Sequence, residues 1–265
     1  MTTRPLKELK SSQECKEDQD YKIIIPPPQE QESDVAVLSI HGGEIESYTS
    51  RITSDLSSRN NWDRYDFNGK IKNEKCLKLE KLSKSNNSNK NFVVLHITST
   101  HFDEKKAVDI VSSHENAVSI HGYSRTEEEE GIQTICVGGQ NEDKVKKFIE
   151  HVNKESYKLD ELDYSLNLVN APLEQSNFDK GRLVIRRNTI CLEKEVPKQS
   201  ALTGTDWENI VNKTRNPNGG LQIELNRPIR IDLAKGRDKP NSSSTNKYQL
   251  LRNVIYGAIK EAMND

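Results

Sequence analysis

The chain has 265 residues, of which 32% are hydrophobic and 30% charged, and its 39 basic and 41 acidic side chains leave a formal charge of −2. Such a balance offers no overall field to draw nucleic acid or a membrane surface, so a charged ligand must be held by local groups. The N-terminus MTTRPLKELK lacks the apolar run of a secretory signal and no stretch approaches the length of a membrane span, so the expectation is a soluble protein made in the cytoplasm and released by lysis.

Residues 1–34 are polar and end in IIIPPPQEQESD, where three prolines favour an extended segment. They are expected to form an arm or linker, with YKII as an edge strand, ahead of a single α/β domain over 35–265 with polar insertions near 83–91 and 238–247. VAVLSIH (35–41) is a near-continuous apolar run of strand length, as in strands covered on both faces. ESYTSRITSDLSSRN (46–60) then places Ile52 and Leu56 at helical spacing, completing a strand, glycine turn and helix.

FVVLHIT (92–98) predicts a second strand, DEKKAVDIVSS (103–113) a helix and AVSIHG (117–122) a third strand. EEEE at 127–130 reads as a solvated loop, IQTICV (132–137) as a strand and DKVKKFIEHVNK (143–154) as an amphipathic helix. RLVIRR (182–187) predicts a short strand, TDWENIVNKT (205–214) a helix and GGLQIELNRPI (219–229) a last strand marked at its far end by Pro228. The loop KPNSSSTNK (239–247) leads to a closing helix over 248–264. This alternation predicts an α/β fold: an open, mainly parallel twisted sheet with helices on both faces.

Ligands of open parallel sheets collect outside the carboxyl ends of the strands. His41, His101, His121 and Glu224 occupy such places, and two SIHG tetrapeptides (39–42 and 119–122) each hand a histidine to a glycine turn. Cys15, Cys76, Cys136 and Cys191 lie far apart with no CxxC pair, which argues against a thiolate metal site and a dense disulfide framework. A catalytic zinc takes three histidine or carboxylate ligands and keeps one position for water. His41, His121 and one glutamate of HGGEIE, either Glu44 at HxxE spacing or Glu46, supply that set, provided the two rings lie within about 8 Å of each other. A carboxylate beside the metal must then move the proton, and Glu224, set between isoleucine and leucine in a strand, is the candidate.

SIHGGEIE, LHITSTHFDE, SIHGYS, CVGG and GGLQIEL occur in the same order as in the poly-γ-glutamate hydrolases, zinc peptidases of phages and bacteria that are distantly similar to zinc carboxypeptidases. The resemblance spans about residues 35–230. It implies a carboxypeptidase-like core, one Zn²⁺ and hydrolysis of γ-glutamyl amide bonds; a monomer without nucleic acid or membrane partners is the separate expectation from charge and composition. By motif position it implies His41, Glu46 and His121 as metal ligands, with Glu44 as the alternative carboxylate, and Glu224 as general base. His101 matches a segment that touches substrate or oxyanion and is the fallback third ligand. Arg215 matches an arginine-bearing turn that binds an α-carboxylate or the oxyanion, while Tyr123 and Arg125 are expected to line the cleft. A zinc amidohydrolase or carboxypeptidase for small acidic N-acyl or peptide substrates, and a non-catalytic binding module on the same fold, are the competing readings.

Overall fold

The computed structural model describes residues 15–27, 33–70, 95–123, 133–160, 166–168, 183–187, 203–235 and 243–264. Eight strands form one sheet: β1 (Tyr21–Ile24), β2 (Val35–Gly43), β3 (Asp63–Gly69), β4 (Asn116–Tyr123), β5 (Gln133–Gly138), β6 (Leu166–Leu168), β7 (Leu183–Arg187) and β8 (Leu221–Asn226). Their order is β1-β3-β2-β4-β8-β5-β7-β6. All neighbouring pairs are parallel except β1–β3 and β5–β8, so the sheet is open and mainly parallel, as the alternating pattern predicts. From β2 the chain steps outward to β3 on one side and to β4 on the other. The crevice at the carboxyl ends of β2 and β4 is therefore a topological switch point, where open α/β sheets bind ligands.

Helices α1 (Thr49–Asn60), α2 (Lys105–Ser113), α3 (Glu142–Asp160), α4 (Arg227–Ala234) and α5 (Ser243–Met263) cover both faces. On one face Val35, Val37, Val118, Ile120, Leu221, Ile223, Ile135 and Val137 pack against apolar residues of α1, α3, α4 and α5. On the other, Ala36, Leu38, Ile40, Tyr65, Phe67 and Ala117 pack with Phe102, with Ala107 and Val111 of α2, and with Ile210 and Val211. Toward the carboxyl ends of β4 and β8 this second face turns polar. Ser119, His121 and Tyr123 stand opposite Gln222, Glu224 and Asn226 in parallel register, and by the two-residue alternation of strands all six share that face.

Several local expectations are corrected. YKII forms the expected edge strand, β1, but with β1 paired to β3 and Cys15 and Tyr21 buried this part of 1–34 packs with the domain rather than serving as an arm or linker. Residues 95–98 of FVVLHIT carry no strand, although Leu95 and Ile97 are buried. TDWENIVNKT forms only a short 3₁₀ turn, Ile210–Asn212. Pro228 sits in the first turn of α4, where its missing N–H costs nothing. The closing helix starts at Ser243, inside the expected 238–247 insertion. The expected loops at 83–91 and 127–130 lie outside the described residues. Cys15 and Cys136 are each in a disulfide, in separate hydrophobic clusters, so neither thiolate is available to a metal. No helix among the described residues is long and apolar enough to cross a membrane.

Candidate metal centre

Strand β2 carries His41 near its carboxyl end, and strict alternation would send that ring to the side of Ser39, whose hydroxyl pairs with Thr49 of α1 at 2.9 Å. A register shift between Ser39 and Gly42 in the β2–β3 pairing adds a residue there. Bulges of this kind re-aim a side chain, and His41 turns instead to His121: their ring centroids are 5.0 Å apart and their Nδ1 atoms 3.2 Å apart.

After the bulge the chain folds back on itself, with Glu46 N–H donating to the His41 carbonyl at 2.8 Å. The Glu46 carboxylate thereby returns to the histidines, Oε1 lying 2.9 Å from His41 Nδ1 and Oε2 3.8 Å from His121 Nδ1. Oε2 also accepts the Gly122 N–H at 2.7 Å. Glu44 takes the other course: its N–H donates to the Gly69 carbonyl at the β3 edge and its side chain is exposed. Of the two carboxylates it is Glu46 that the fold brings to the histidines.

The outer ring nitrogens are already committed. His41 Nε2–H donates to the Ile97 carbonyl at 2.7 Å, which fixes its proton on Nε2 and leaves a lone pair on Nδ1 in the neutral ring. His121 Nε2 pairs with the Ser119 hydroxyl at 2.7 Å. Two imidazole nitrogens and a carboxylate oxygen, all within 4.8 Å of one another and all buried, thus converge on one spot, an arrangement that can hold a cation. Without a metal, a proton must serve. Burial favours the neutral His41 ring, but the Glu46 carboxylate and the hydrogen bonds to Glu46 and Ile97 outweigh it and raise its pKa. Burial likewise opposes the charge on Glu46, yet His41, His96 and His121 hold it well below the carboxylate range. His121 is pushed down to about 3, chiefly by burial. The donor set fits a borderline divalent ion, with hydrogen-bonded rings of the kind that orient metal ligands.

Glu224 stands in register with His121 on one side and Cys136 on the other. It is 3% exposed, and burial, with the nearby Glu46 charge, raises its pKa well above the carboxylate range against the opposing pull of Gln222 and Arg230. Tyr123 ends the same strand as His121, its hydroxyl 3.8 Å from Cys136 Sγ. Arg125 lies outside the described residues. His101 is exposed, bonds to the Thr98 hydroxyl at 2.8 Å, and is not in the converging group.

Arg215 is placed at the wrong end of the sheet for its expected role. Its guanidinium pairs with Glu115 at 3.1 Å and Asp34 at 3.4 Å, the residues just before β4 and β2, roughly 20 Å from the carboxyl ends at 3.3 Å per residue. Two residues that sequence reasoning passed over stand at the site instead. His96 Nε2 donates to Glu46 Oε1 at 3.0 Å, and its ring centroid is 4.1 Å from that of His41. Reading FVVLHIT as a strand hid it; the histidine between two apolar residues was the available signal. Arg230 of α4 is 5% exposed and donates through Nη1 to the Ser47 carbonyl at 2.9 Å. Burial lowers its pKa, while Glu46 and Glu224 favour its charge. Its guanidinium lies so close over Gly122 that a Cβ there would fall 2.5 Å from Cζ, which gives the second SIHG glycine a packing reason.

Fold and site together define an open α/β protein with a buried histidine–carboxylate centre suited to a divalent metal, at the switch point of its sheet. The family profile described as poly-gamma-glutamate hydrolase matches residues 4–176, and the chain belongs to that family. Among curated relatives, the UPF0714 protein YndL of Bacillus subtilis (strain 168) is 38% identical over 120 residues, 45% of this chain and 37% of YndL. The SPbeta prophage-derived UPF0714 protein YoqZ of the same organism is 34% identical over 113 residues, 43% of this chain and 32% of YoqZ. The matches thus span about a third of each relative's length. A bacteriophage poly-gamma-glutamate hydrolase shares the fold with a TM-score of 0.59 at 22% identity, over 99% of this chain and 96% of that one. YndL in a zinc-free apo form gives 0.56 at 26% identity, over 96% and 95%.

Proposed function

We propose that this chain hydrolyses the γ-glutamyl amide bonds of poly-γ-glutamate, with a zinc ion held by His41, Glu46 and His121 and with Glu224 as general base. The convergence of three electron-pair donors beside a buried carboxylate carries the reading. Membership in the poly-gamma-glutamate hydrolase family and the likeness to zinc-free YndL support the substrate and the metal.

A bound zinc supplies Lewis acidity toward the scissile carbonyl and toward water. The chain's own residues do the rest. Glu224 takes a proton from the attacking water and returns it to the leaving nitrogen, a role worth roughly 10²–10⁴-fold in rate. His96 and the Gly122 N–H hold the two oxygens of Glu46, while the Ile97 carbonyl and Ser119 hydroxyl fix the ring planes of His41 and His121. Arg230 ties the Glu46 loop to α4 through Ser47 and offsets nearby carboxylate charge. The substrate carries one negative charge per residue, so binding weakens as salt screens it. The disulfide-bonded Cys15 and Cys136 favour a working place outside the reducing cytoplasm.

The test is the viscosity of poly-γ-glutamate solutions treated with the protein as purified, after exhaustive chelation, and after zinc is restored. Viscosity should fall in the first and third cases only. Persistent cleavage by metal-free protein would refute the zinc assignment, and no cleavage in any case would refute the substrate.

A further inference from the structure

A buried line of side-chain amides runs from the Ile210–Asn212 turn to Glu224, and its direction is set by the backbone. Val211 N–H can only donate, and it donates to Asn209 Oδ1 at 3.2 Å. That orients the Asn209 amide, so its Nδ2 faces Gln222 and donates to Gln222 Oε1 at 2.7 Å. Gln222 in turn must present its nitrogen to Glu224, donating to Oε1 at 2.9 Å. All three side chains are 3% exposed or less. The two ends of a glutamine amide are interchangeable when nothing distinguishes them, but here a backbone donor two links away decides the matter.

We infer that Asn209 and Gln222 are positioning residues for Glu224: a one-way amide relay anchored on the Val211 N–H commits Oε1 of Glu224 as an acceptor and leaves Oε2 to carry the proton. The inference rests on the proposed role of Glu224 as base. Asn209 acts on Glu224 through Gln222, the next residue in line. The loop above the relay is fitted to it. Gly204 holds φ +66, and a Cβ there would lie 2.7 Å from Gln222 Cβ and 3.0 Å from its Oε1, so only glycine lets the loop close over this amide. Asn212 fastens the same loop by donating to the carbonyls of Gly204 and Asp206, both at 2.7 Å.

The relay makes a prediction that a merely structural role does not. Asn209→Asp keeps the acceptor for Val211 N–H, and with it the cap of the turn, but offers Gln222 no donor. The Gln222 amide then turns its nitrogen toward the new carboxylate and its oxygen toward Glu224, two acceptors face each other, and the base loses its orientation. Asn209→Leu removes both the cap and the donor but lets Gln222 keep its nitrogen on Glu224. We therefore expect Asn209→Asp to lower kcat at least about tenfold, within the roughly 10²–10⁴-fold a general base contributes, with KM and zinc content unchanged. Asn209→Leu should lower Tm more and kcat less. Gln222→Met, which keeps the bulk and removes the donor, should lower kcat without lowering zinc content.

A second readout does not need turnover. The side-chain NH₂ resonances of Gln222, assigned by their loss in Gln222→Met, should shift in the chelated Asn209→Asp protein and much less in Asn209→Leu. Loss of kcat in proportion to loss of Tm across the variants would overturn the inference, as would an unmoved Gln222 signal in Asn209→Asp. Absence of hydrolysis by the zinc-loaded wild type would instead sink the proposed function, and the resonance arm would still decide the relay.

Discussion

His121 and Glu224 are neighbours in register across the β4–β8 pair, on the same face of the sheet and both almost fully buried. A histidine of the converging trio and the carboxyl proposed to move the proton are thus placed by one pairing of two strands. The coupling is electrostatic as well as geometric. Burial and the Glu46 charge raise the Glu224 pKa and favour its acid form, and a cation at the trio would lower its pKa and favour the carboxylate needed to accept a proton.

Glu44 and Glu46 should separate cleanly. Glu46→Gln should weaken zinc binding by more than the roughly 10–100-fold that changes in outer hydrogen-bond partners cost, because it removes a charge directly from the converging group. Glu44→Gln should bind zinc like the wild type, since the Glu44 side chain is exposed and its N–H is tied to the β3 edge. Titration against a chelating zinc indicator checks both.

His96 should tune the centre from outside it. Its Nε2–H holds Glu46 Oε1, the atom that also faces His41. His96→Ala should therefore weaken zinc by roughly 10–100-fold while leaving the metal-free protein folded, because the His96 side chain is 44% exposed. Dissociation constants with unchanged circular dichroism would bear this out.

Asp66 predicts a pH effect on stability unrelated to catalysis. Burial lifts its pKa from 3.8 to about 7, against the hydrogen bond from Thr53 and the charge of Arg64. The folded state then holds a proton that the unfolded chain releases at lower pH. Its contribution to stability is fully present below about pH 4 and is lost as the pH rises through about 7, by up to about 4 kcal/mol for a shift of this size. Asp66→Asn should flatten the decline in Tm between about pH 4 and pH 7 relative to wild type, and equal slopes for the two proteins would count against it.

Much of the trio was legible because each member lies at the end of a recognisable strand or in its turn: SIHG twice and HGGEIE once, with a lone glutamate in LQIEL beside them. The choice of Glu46 over Glu44 came from the resemblance alone and not from the residues themselves, since it depends on the chain folding back to the His41 carbonyl after a bulge. Arg215 misled because it lies close before Glu224 in sequence, yet the length of a strand crossing the sheet separates them. Arg230 stood just past Pro228, where the sequence suggested a strand ending rather than a helix beginning. The antiparallel direction of β5 against β8 left no trace in either strand's apolar pattern, because a fully covered strand has the same pattern in both directions.

The most direct test of the central claim is zinc content and poly-γ-glutamate turnover measured together on wild type and Glu224→Gln. The variant should hold zinc at the wild-type ratio and lose roughly 10²–10⁴-fold in turnover. Wild-type turnover in a Glu224→Gln protein that retains its zinc would contradict the account.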